Sequence, residues 1–167
     1  EEKYDEIFHR ETVINYLNKA ISAFIIDSLS LSMDEDTASN FVAYLRISRN
    51  LERVGDHSKG IADVAKLKSE ENLDFTSDAY EELKTVNANI EDMLLAISKD
   101  IPKDERVKLT STLYEKVQKF VPTFRSKHML RMRERTCDPE SGLLYEKTIT
   151  AMERISSYLS NAVKLSN

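Results

Sequence analysis

Two carboxylates one helical turn apart are the side chains of this chain best placed to do chemistry. Glu52 and Asp56 lie in the stretch LERVGDH at positions 51–57. Side chains four residues apart share one face of a helix, so the two carboxylates repel unless a positive charge balances them. Either Arg49 and Arg53 neutralise them in an ordinary ion-pair network, or a hard cation such as Mg²⁺, Mn²⁺, Ca²⁺ or iron binds there.

A weaker copy of this motif occurs 101 residues later, as MERISSY at positions 152–158. Glu153 occupies the position of Glu52, whereas Ser157 stands where Asp56 would be repeated. The constant offset predicts two related helical units, of which only the first has the complete acidic pair.

Small residues occupy the centre of both motifs and predict a close helix–helix approach. Gly55 is matched by Ser156, and the neighbouring arginines Arg53 and Arg154 are also repeated. Glycine within a helix costs about 1 kcal/mol relative to alanine, so its presence favours a packing reason. We expect these four residues to form a crossing between the two motif helices.

Composition and periodicity predict an all-α fold that positions these motifs. The chain has only three glycines and three prolines, and apolar residues recur at spacings of three and four. The first, third and fourth helices are predicted over about 4–31, 77–99 and 104–135. The second helix is predicted to run from a Ser32–Glu35 capping box to about 68. The fifth starts at Asp138-Pro139 and runs to the end. Pro122 should kink or split the fourth helix.

The overall composition narrows the class of protein. We predict one antiparallel bundle over residues 1–167, with repeats at about 1–70 and 76–167. The net charge of −5 disfavours nucleic-acid binding, and no apolar run is long enough to span a membrane. The single Cys137 favours a reducing compartment. No nucleophile–base set or glycine-rich phosphate loop supports an enzyme.

Further candidate residues lie outside the motifs. Five cations concentrate near the end of the fourth predicted helix: Arg125, Lys127, Arg131, Arg133 and Arg135. They form either a solvated face or a contact surface. His57 should point away from Glu52 and Asp56, and His128 should be a partly buried histidine hydrogen-bonded to a neighbour rather than a metal ligand.

The sequence LERVGDH, followed by Ile61-Ala62, resembles the signature of the PhoU domain, an all-α fold of two three-helix repeats with one motif on the last helix of each. The second copy and the Cys137-Asp138-Pro139 turn are also similar to that family. The resemblance implies six helices. Because the first motif falls on the second of five here, the first helix of the first repeat is expected to be missing.

The same resemblance implies a metal site. PhoU-like proteins can bind metal through paired E-x-x-x-D motifs, which gives Glu52, Asp56 and Glu153 in this sequence. Ser157 supplies no carboxylate, so we expect at most a single divalent metal or iron ion, and no other cofactor.

The resemblance implies regulation of phosphate transport, in one of two settings. Residues 12–17 (TVINYL) and 28–30 (SLS) are similar to the cytosolic PhoU-like domain fused to a sodium/phosphate cotransporter. We therefore predict a regulatory domain on the cytoplasmic face of the membrane, bound to the transporter membrane domain of its own polypeptide, with the basic cluster facing lipid or transporter loops. A free-standing regulator of a phosphate ABC transporter and its sensor kinase is the alternative, and a metal-binding bundle for storage or catalysis is another. Homodimerisation is a further candidate assembly.

Overall fold

Five helices make up the computed structural model, which describes residues 2–166. They are α1 (Glu2–Leu29), α2 (Glu35–Glu70), α3 (Ser77–Ser98), α4 (Lys103–Arg133) and α5 (Pro139–Leu165). The described part of the chain contains no strand, so the predicted all-α fold with five helices is confirmed. None of these helices combines the length and apolar character needed to cross a bilayer.

The helix starts follow local capping chemistry, with one correction to the sequence prediction. Asp34 caps α2, since its carboxylate accepts from Thr37 N at 2.8 Å and from Thr37 Oγ1 at 2.7 Å. The prediction that Ser32 caps α2 is wrong, because the charged side chain of Asp34 lies two residues nearer to the first turn. Asp138 caps α5 as predicted, accepting from Ser141 N at 2.8 Å.

Pro122 does not split α4, which is one helix from Lys103 to Arg133. Its side chain is exposed. The missing backbone N–H therefore lies on the side of α4 that faces water rather than the core. Water can hydrate the carbonyl group that would otherwise accept a hydrogen bond from this N–H.

The helices form two unequal packing units. In the described residues α3, α4 and α5 all contact one another, whereas α1 contacts only α2. The two units meet where α2 packs on α5, which places the two motif-bearing helices side by side.

The hydrophobic core belongs almost entirely to the three-helix unit. Its fully buried members include Val86, Met93, Val117, Tyr145 and Ile149. In α1, by contrast, Ile25 is the one side chain that is buried among the described residues. The α1–α2 hairpin is thus supported by few buried contacts of its own, and large apolar side chains on it remain exposed.

Candidate functional site

The acidic pair on α2 lies beside α1, within electrostatic range of both Glu11 on α1 and Arg53. Glu52 is half-buried and Asp56, one turn later, is exposed. The pKa of Glu52 is raised by burial first, then by the charges of Asp56 and of Glu11 on α1, with Arg53 opposing. The site is therefore a locally anionic face. The sequence pattern did not indicate that Glu11 contributes to it.

Arg53 reaches α5 rather than the acidic pair. Its Nη1 donates to the hydroxyl oxygen of Tyr158 at 3.2 Å, and its guanidinium carbon lies 5.5 Å from the Tyr158 ring centroid. The His57 ring stacks on the same tyrosine at 5.7 Å with an interplanar angle of 15°. These contacts form a small aromatic and cationic cluster where α2 meets α5.

Tyr158 was not identified from the sequence, although a signal for it existed. It is the counterpart of His57 at the repeat offset of 101 residues, so the two equivalent positions pack on each other. The pKa of His57 is lowered, chiefly by burial and also by Arg154 and Arg53, whereas Asp56 opposes the shift. His57 is thus a packed, neutral-favouring histidine, directed away from the acidic pair as expected.

Glu153 does not join Glu52 and Asp56. Its Oε2 lies 3.0 Å from Arg125 Nη1, and its Oε1 accepts from Gln118 Nε2 at 3.4 Å, both on α4. Residues 2–166 contain no group of three His, Cys, Asp or Glu side chains that could hold a metal ion. The three carboxylates singled out by the resemblance therefore do not fit one shared ion in this side-chain arrangement.

The close approach at Gly55 is real but involves a different helix from the one expected. A Cβ placed on Gly55 would lie 3.1 Å from Cδ1 of Ile14, on α1. The expectation that Gly55 admits α5 is wrong, because the nearest side chain comes from the hairpin partner. Ser156 is fully buried and its Oγ donates to the carbonyl of Glu153 at 2.8 Å, while Arg154 is exposed.

The basic cluster divides into buried and exposed members. Arg131 is buried, so its assignment to a contact surface is wrong. Arg125 is held by Glu146 at 2.9 Å and by Glu153, which removes it from a freely presented cationic face. Lys127, Arg133 and Arg135 remain exposed.

A buried polar cluster joins α3, α4 and α5. Arg131 donates from Nη1 and Nη2 to Glu82, and Tyr145 donates its hydroxyl to Glu82 Oε2 at 2.6 Å. Sequence reasoning missed Glu82. A signal was present, since Glu82 shares the spacing of the buried face between Ala79 and Val86.

His128 lies against this cluster and is buried, whereas the sequence predicted a partly buried histidine with a hydrogen bond to a neighbour. Its ring centroid is 4.6 Å from that of Tyr145, and among the described residues its Nδ1 has no hydrogen-bond partner. Burial and the charge of Arg131 lower the pKa of His128, and Glu146, Glu82 and the backbone of Gly142 oppose them. The net lowering of the His128 pKa favours the neutral imidazole over the protonated form.

An open groove of about 760 Å³ lies beside the cluster, between the start of α3 and the end of α4. Its charged lining is mixed, with Asp78, Glu81 and Glu82 on α3 and Lys127, Arg131 and Glu134 at the end of α4. The nearby thiol of Cys137 has its pKa raised by burial, which disfavours the reactive thiolate. The buried Glu82–Arg131–Tyr145 cluster is suited to holding α3, α4 and α5 together. The described residues around it and the groove offer no activated nucleophile.

Residues 1–65 match the family model described as the PhoU domain. The matched segment covers α1 and most of α2, including the LERVGDH motif and the Gly55–Ile14 contact. A search of curated proteins and a search of solved structures each gave no match.

Proposed function

We propose that this chain contains a PhoU-like domain and regulates phosphate transport through protein–protein contacts. The observation that carries this proposal is the family match over residues 1–65, which contains the complete acidic motif. The repeated motif helices α2 and α5 also pack on each other, as a duplicated unit requires.

The finer proposal is that this domain regulates a sodium-dependent phosphate transporter. It would form the cytosolic part of the transporter polypeptide and bind the membrane domain at the cytoplasmic face of the membrane. The similarity of residues 12–17 and 28–30 to fused domains supports this setting. In this arrangement the bundle modulates flux by changing its contact with the membrane domain.

An antibody against this chain distinguishes the two settings directly. For the fused domain, immunoblots of the native source should show the epitope in the membrane fraction, on a polypeptide much larger than 19.2 kDa. A band slightly above that mass in the soluble fraction would instead identify the free-standing regulator.

Phosphate uptake tests the regulatory role itself. Cells that express the transporter with and without this domain should differ in how uptake responds to external phosphate, and the uptake should require sodium rather than potassium. Equal responses in the presence and absence of the domain, at matched transporter abundance, would contradict the proposal.

The α2–α5 contact offers a sharper variant. Tyr158→Ala removes the ring that His57 and Arg53 contact, whereas Tyr158→Phe keeps the stacking surface and loses only the hydroxyl. If the relation between the repeats transmits regulation, Tyr158→Ala should shift the uptake response more than Tyr158→Phe.

A further inference from the structure

A groove between α2 and the end of α5 concentrates positive charge on an otherwise acidic protein. It has a volume of about 440 Å³. Its lining consists of four cations, two amides and one apolar residue: Arg46, Arg49, Arg53, Lys164, Asn50, Asn161 and Leu165. The described residues that line it include no carboxylate, although the chain as a whole carries −5. The groove beside the Glu82 cluster, by contrast, is lined by both signs of charge.

The positive charge follows from two acid-free segments of the sequence. Residues 37–51 of α2 contain Arg46 and Arg49 but no Asp or Glu. Residues 154–167 include Lys164 and again contain no Asp or Glu. Because α2 packs on α5, the two segments line one groove, and their charges add.

The cations of this groove are not neutralised by neighbouring carboxylates. Among the described residues, Arg46, Arg49 and Lys164 form no ion pair, whereas α4 has Arg125 and Arg131 each bound to a carboxylate. Like charges three or four residues apart on a helix repel each other. The row of arginines on α2 therefore costs stability unless an anion lies against it.

Tyr158 on α5 holds a further cation of the groove in position. Arg53 Nη1 donates to the Tyr158 hydroxyl oxygen at 3.2 Å, and the remaining N–H donors of its guanidinium stay available. Glu52 and Asp56 act on Arg53 electrostatically but do not line the groove. Arg53 is thus anchored to α5 while it contributes charge to the groove.

The spacing of the cations indicates the kind of anion that fits. Arg46, Arg49 and Arg53 follow one another at spacings of three and four residues, so they share one face of α2. At a rise of about 1.5 Å per residue they extend over about 10 Å, and Lys164 lines the same groove from α5. Guanidinium groups bind phosphate oxygens in a two-pronged manner, and the two asparagine amides offer further donors. Several linked phosphoryl groups match this row, whereas a single phosphate reaches only part of it.

The equivalent position in the other half of the molecule does not have this charge pattern. At the repeat offset of 101 residues, Arg49 corresponds to Thr150 and Lys164 corresponds to Asp63. The Asp63 carboxylate accepts hydrogen bonds from Tyr4 at 2.7 Å and from a lysine of its own helix at 2.9 Å. An anion at the equivalent position would therefore meet a carboxylate, so the duplicated architecture alone does not account for the cationic groove.

The groove lies on the side of α2 opposite to its exposed apolar residues. Arg46 follows Tyr44 by two positions, and Arg53 follows Leu51 by two positions. Two residues correspond to a rotation of about 200° around a helix. A partner that covers Tyr44 and Leu51 would therefore leave the groove open.

We propose that the α2–α5 groove binds a soluble anion that carries several linked phosphoryl groups. The arginines of α2 and Lys164 of α5 contact the phosphoryl oxygens, and the ligand relieves the repulsion among the arginines. Because the cations come from both motif helices, the bound anion strengthens the contact between α2 and α5. Binding at this groove does not depend on the proposed role in phosphate transport, since it is a property of the chain itself.

Calorimetric titration of the full chain with inorganic tripolyphosphate, in metal-free buffer, tests this proposal with two double variants. Arg49→Gln/Lys164→Gln removes one cation from each side of the groove. Lys147→Gln/Arg154→Gln removes the same charge at exposed positions, the counterparts of Arg46 and Arg53 at the repeat offset. The first variant should bind tripolyphosphate about 10- to 100-fold more weakly than the wild type, because each charge-assisted hydrogen bond is worth about tenfold. The second should bind it like the wild type, and circular dichroism verifies that both are folded.

Two further titrations define the ligand and need no substitution. The wild type should bind orthophosphate about tenfold more weakly than tripolyphosphate, since a single phosphate contacts fewer cations. Tripolyphosphate binding should also weaken as the salt concentration rises, because exposed charges are screened.

Vesicles distinguish a soluble ligand from a lipid headgroup, which presents the same phosphoryl chemistry. Arg49→Gln/Lys164→Gln should leave binding to anionic phospholipid vesicles unchanged. A wild type that does not bind tripolyphosphate, equal losses in the two double variants, or equal affinity for orthophosphate would overturn the proposal. A loss confined to vesicle binding would assign the groove to a membrane surface and would overturn it as well.

Discussion

Arg131 on α4 holds Glu82 on α3 in a two-pronged ion pair, with Nη1 3.0 Å from Oε1 and Nη2 2.7 Å from Oε2. Tyr145 on α5 donates a third hydrogen bond to the same carboxylate. Burial pushes the pKa of Glu82 upward, but the hydrogen bonds from Arg131 and Tyr145 outweigh it and the net shift is downward. One carboxylate therefore ties together all three helices of the larger unit.

Removing one partner of this pair should strongly destabilise the protein. Arg131→Met leaves Glu82 buried without its cation, and we expect the free energy of unfolding to fall by about 3 kcal/mol. The double variant Arg131→Met/Glu82→Leu should recover part of that loss, because no buried charge remains. Denaturant titration measures both, with the exposed Arg133→Met as the control. A loss no larger than that of the control would contradict the assigned role.

Replacement by alanine should change the free energy of unfolding differently at Gly55 and at Gly60. In the part of the chain that the structure describes, nothing lies within 4 Å of a Cβ added to Gly60. Gly60→Ala should therefore stabilise α2 by about 0.5–1 kcal/mol through helix propensity. Gly55→Ala gains the same propensity but must displace Ile14, which lies 3.1 Å from the new atom. We expect its effect on the free energy of unfolding to be less favourable than that of Gly60→Ala by about 1 kcal/mol or more. The double variant Gly55→Ala/Ile14→Val should lessen the difference if the contact is responsible.

His128 should make stability fall on the acid side. Because its pKa is lowered in the folded state, its contribution is fully present above the unfolded value of about 6.5 and is lost as the pH falls through the folded-state pKa. Arg131 on its own helix opposes protonation, while Glu82 on α3 and Glu146 on α5 favour it.

The free energy of unfolding measured against pH tests this assignment. His128→Gln should flatten the decrease below about pH 6.5, and the exposed His9→Gln should leave it unchanged. An unchanged pH profile in His128→Gln would remove His128 as its source.

The sequence predicted elements more successfully than contacts. Helix periodicity and the Asp138-Pro139 signal depend on neighbours within a few residues, so they were sufficient to place five helices and one cap. Ser32 failed because Asp34 competes for the same backbone donors, and a charged oxygen closer to the first turn wins. Such local competition is difficult to resolve from residue types alone.

Partner identity was the main limit on site prediction. A small residue such as Gly55 signals a close approach, but only the tertiary arrangement shows that Ile14 makes it. Long side chains also form ion pairs with residues on other helices: Glu153 pairs with Arg125, and Arg131 pairs with Glu82. Each pairing joins positions far apart in the chain, so no local pattern could reveal it.

The acidic pair on α2 should weaken the fold when no cation is bound. The pKa of Glu52 is raised, so its favourable contribution is present below the usual carboxyl pKa and is lost as the pH rises through the folded-state value. Glu52→Gln removes the repulsion from Asp56 and should raise the free energy of unfolding at neutral pH by about 0.2–0.5 kcal/mol. Asn87→Gln on α3, an exposed control, should have no such effect.

Thermal melts with added Mn²⁺ test the metal expectation at the same site. With only two carboxylates on one face and Glu153 held by Arg125, we expect Mn²⁺ to bind weakly and to raise the melting temperature only at high concentration. Any rise should disappear in Glu52→Gln/Asp56→Asn. Tight, stoichiometric Mn²⁺ that requires Glu153 would show that the carboxylates rearrange around the ion.

The exposed remainder of the basic cluster should bind anionic membrane surfaces. Lys127, Arg133 and Arg135 are accessible, and each cation near an anionic bilayer contributes about 1 kcal/mol. Co-sedimentation with anionic vesicles should therefore exceed that with neutral vesicles, and should decrease when these three residues are changed to Glu. The same three-fold charge reversal at the exposed Lys108, Lys116 and Lys119, elsewhere on α4, controls for net charge. Equal binding to neutral vesicles, or equal losses in the two triple variants, would show that this end of α4 is simply a solvated face.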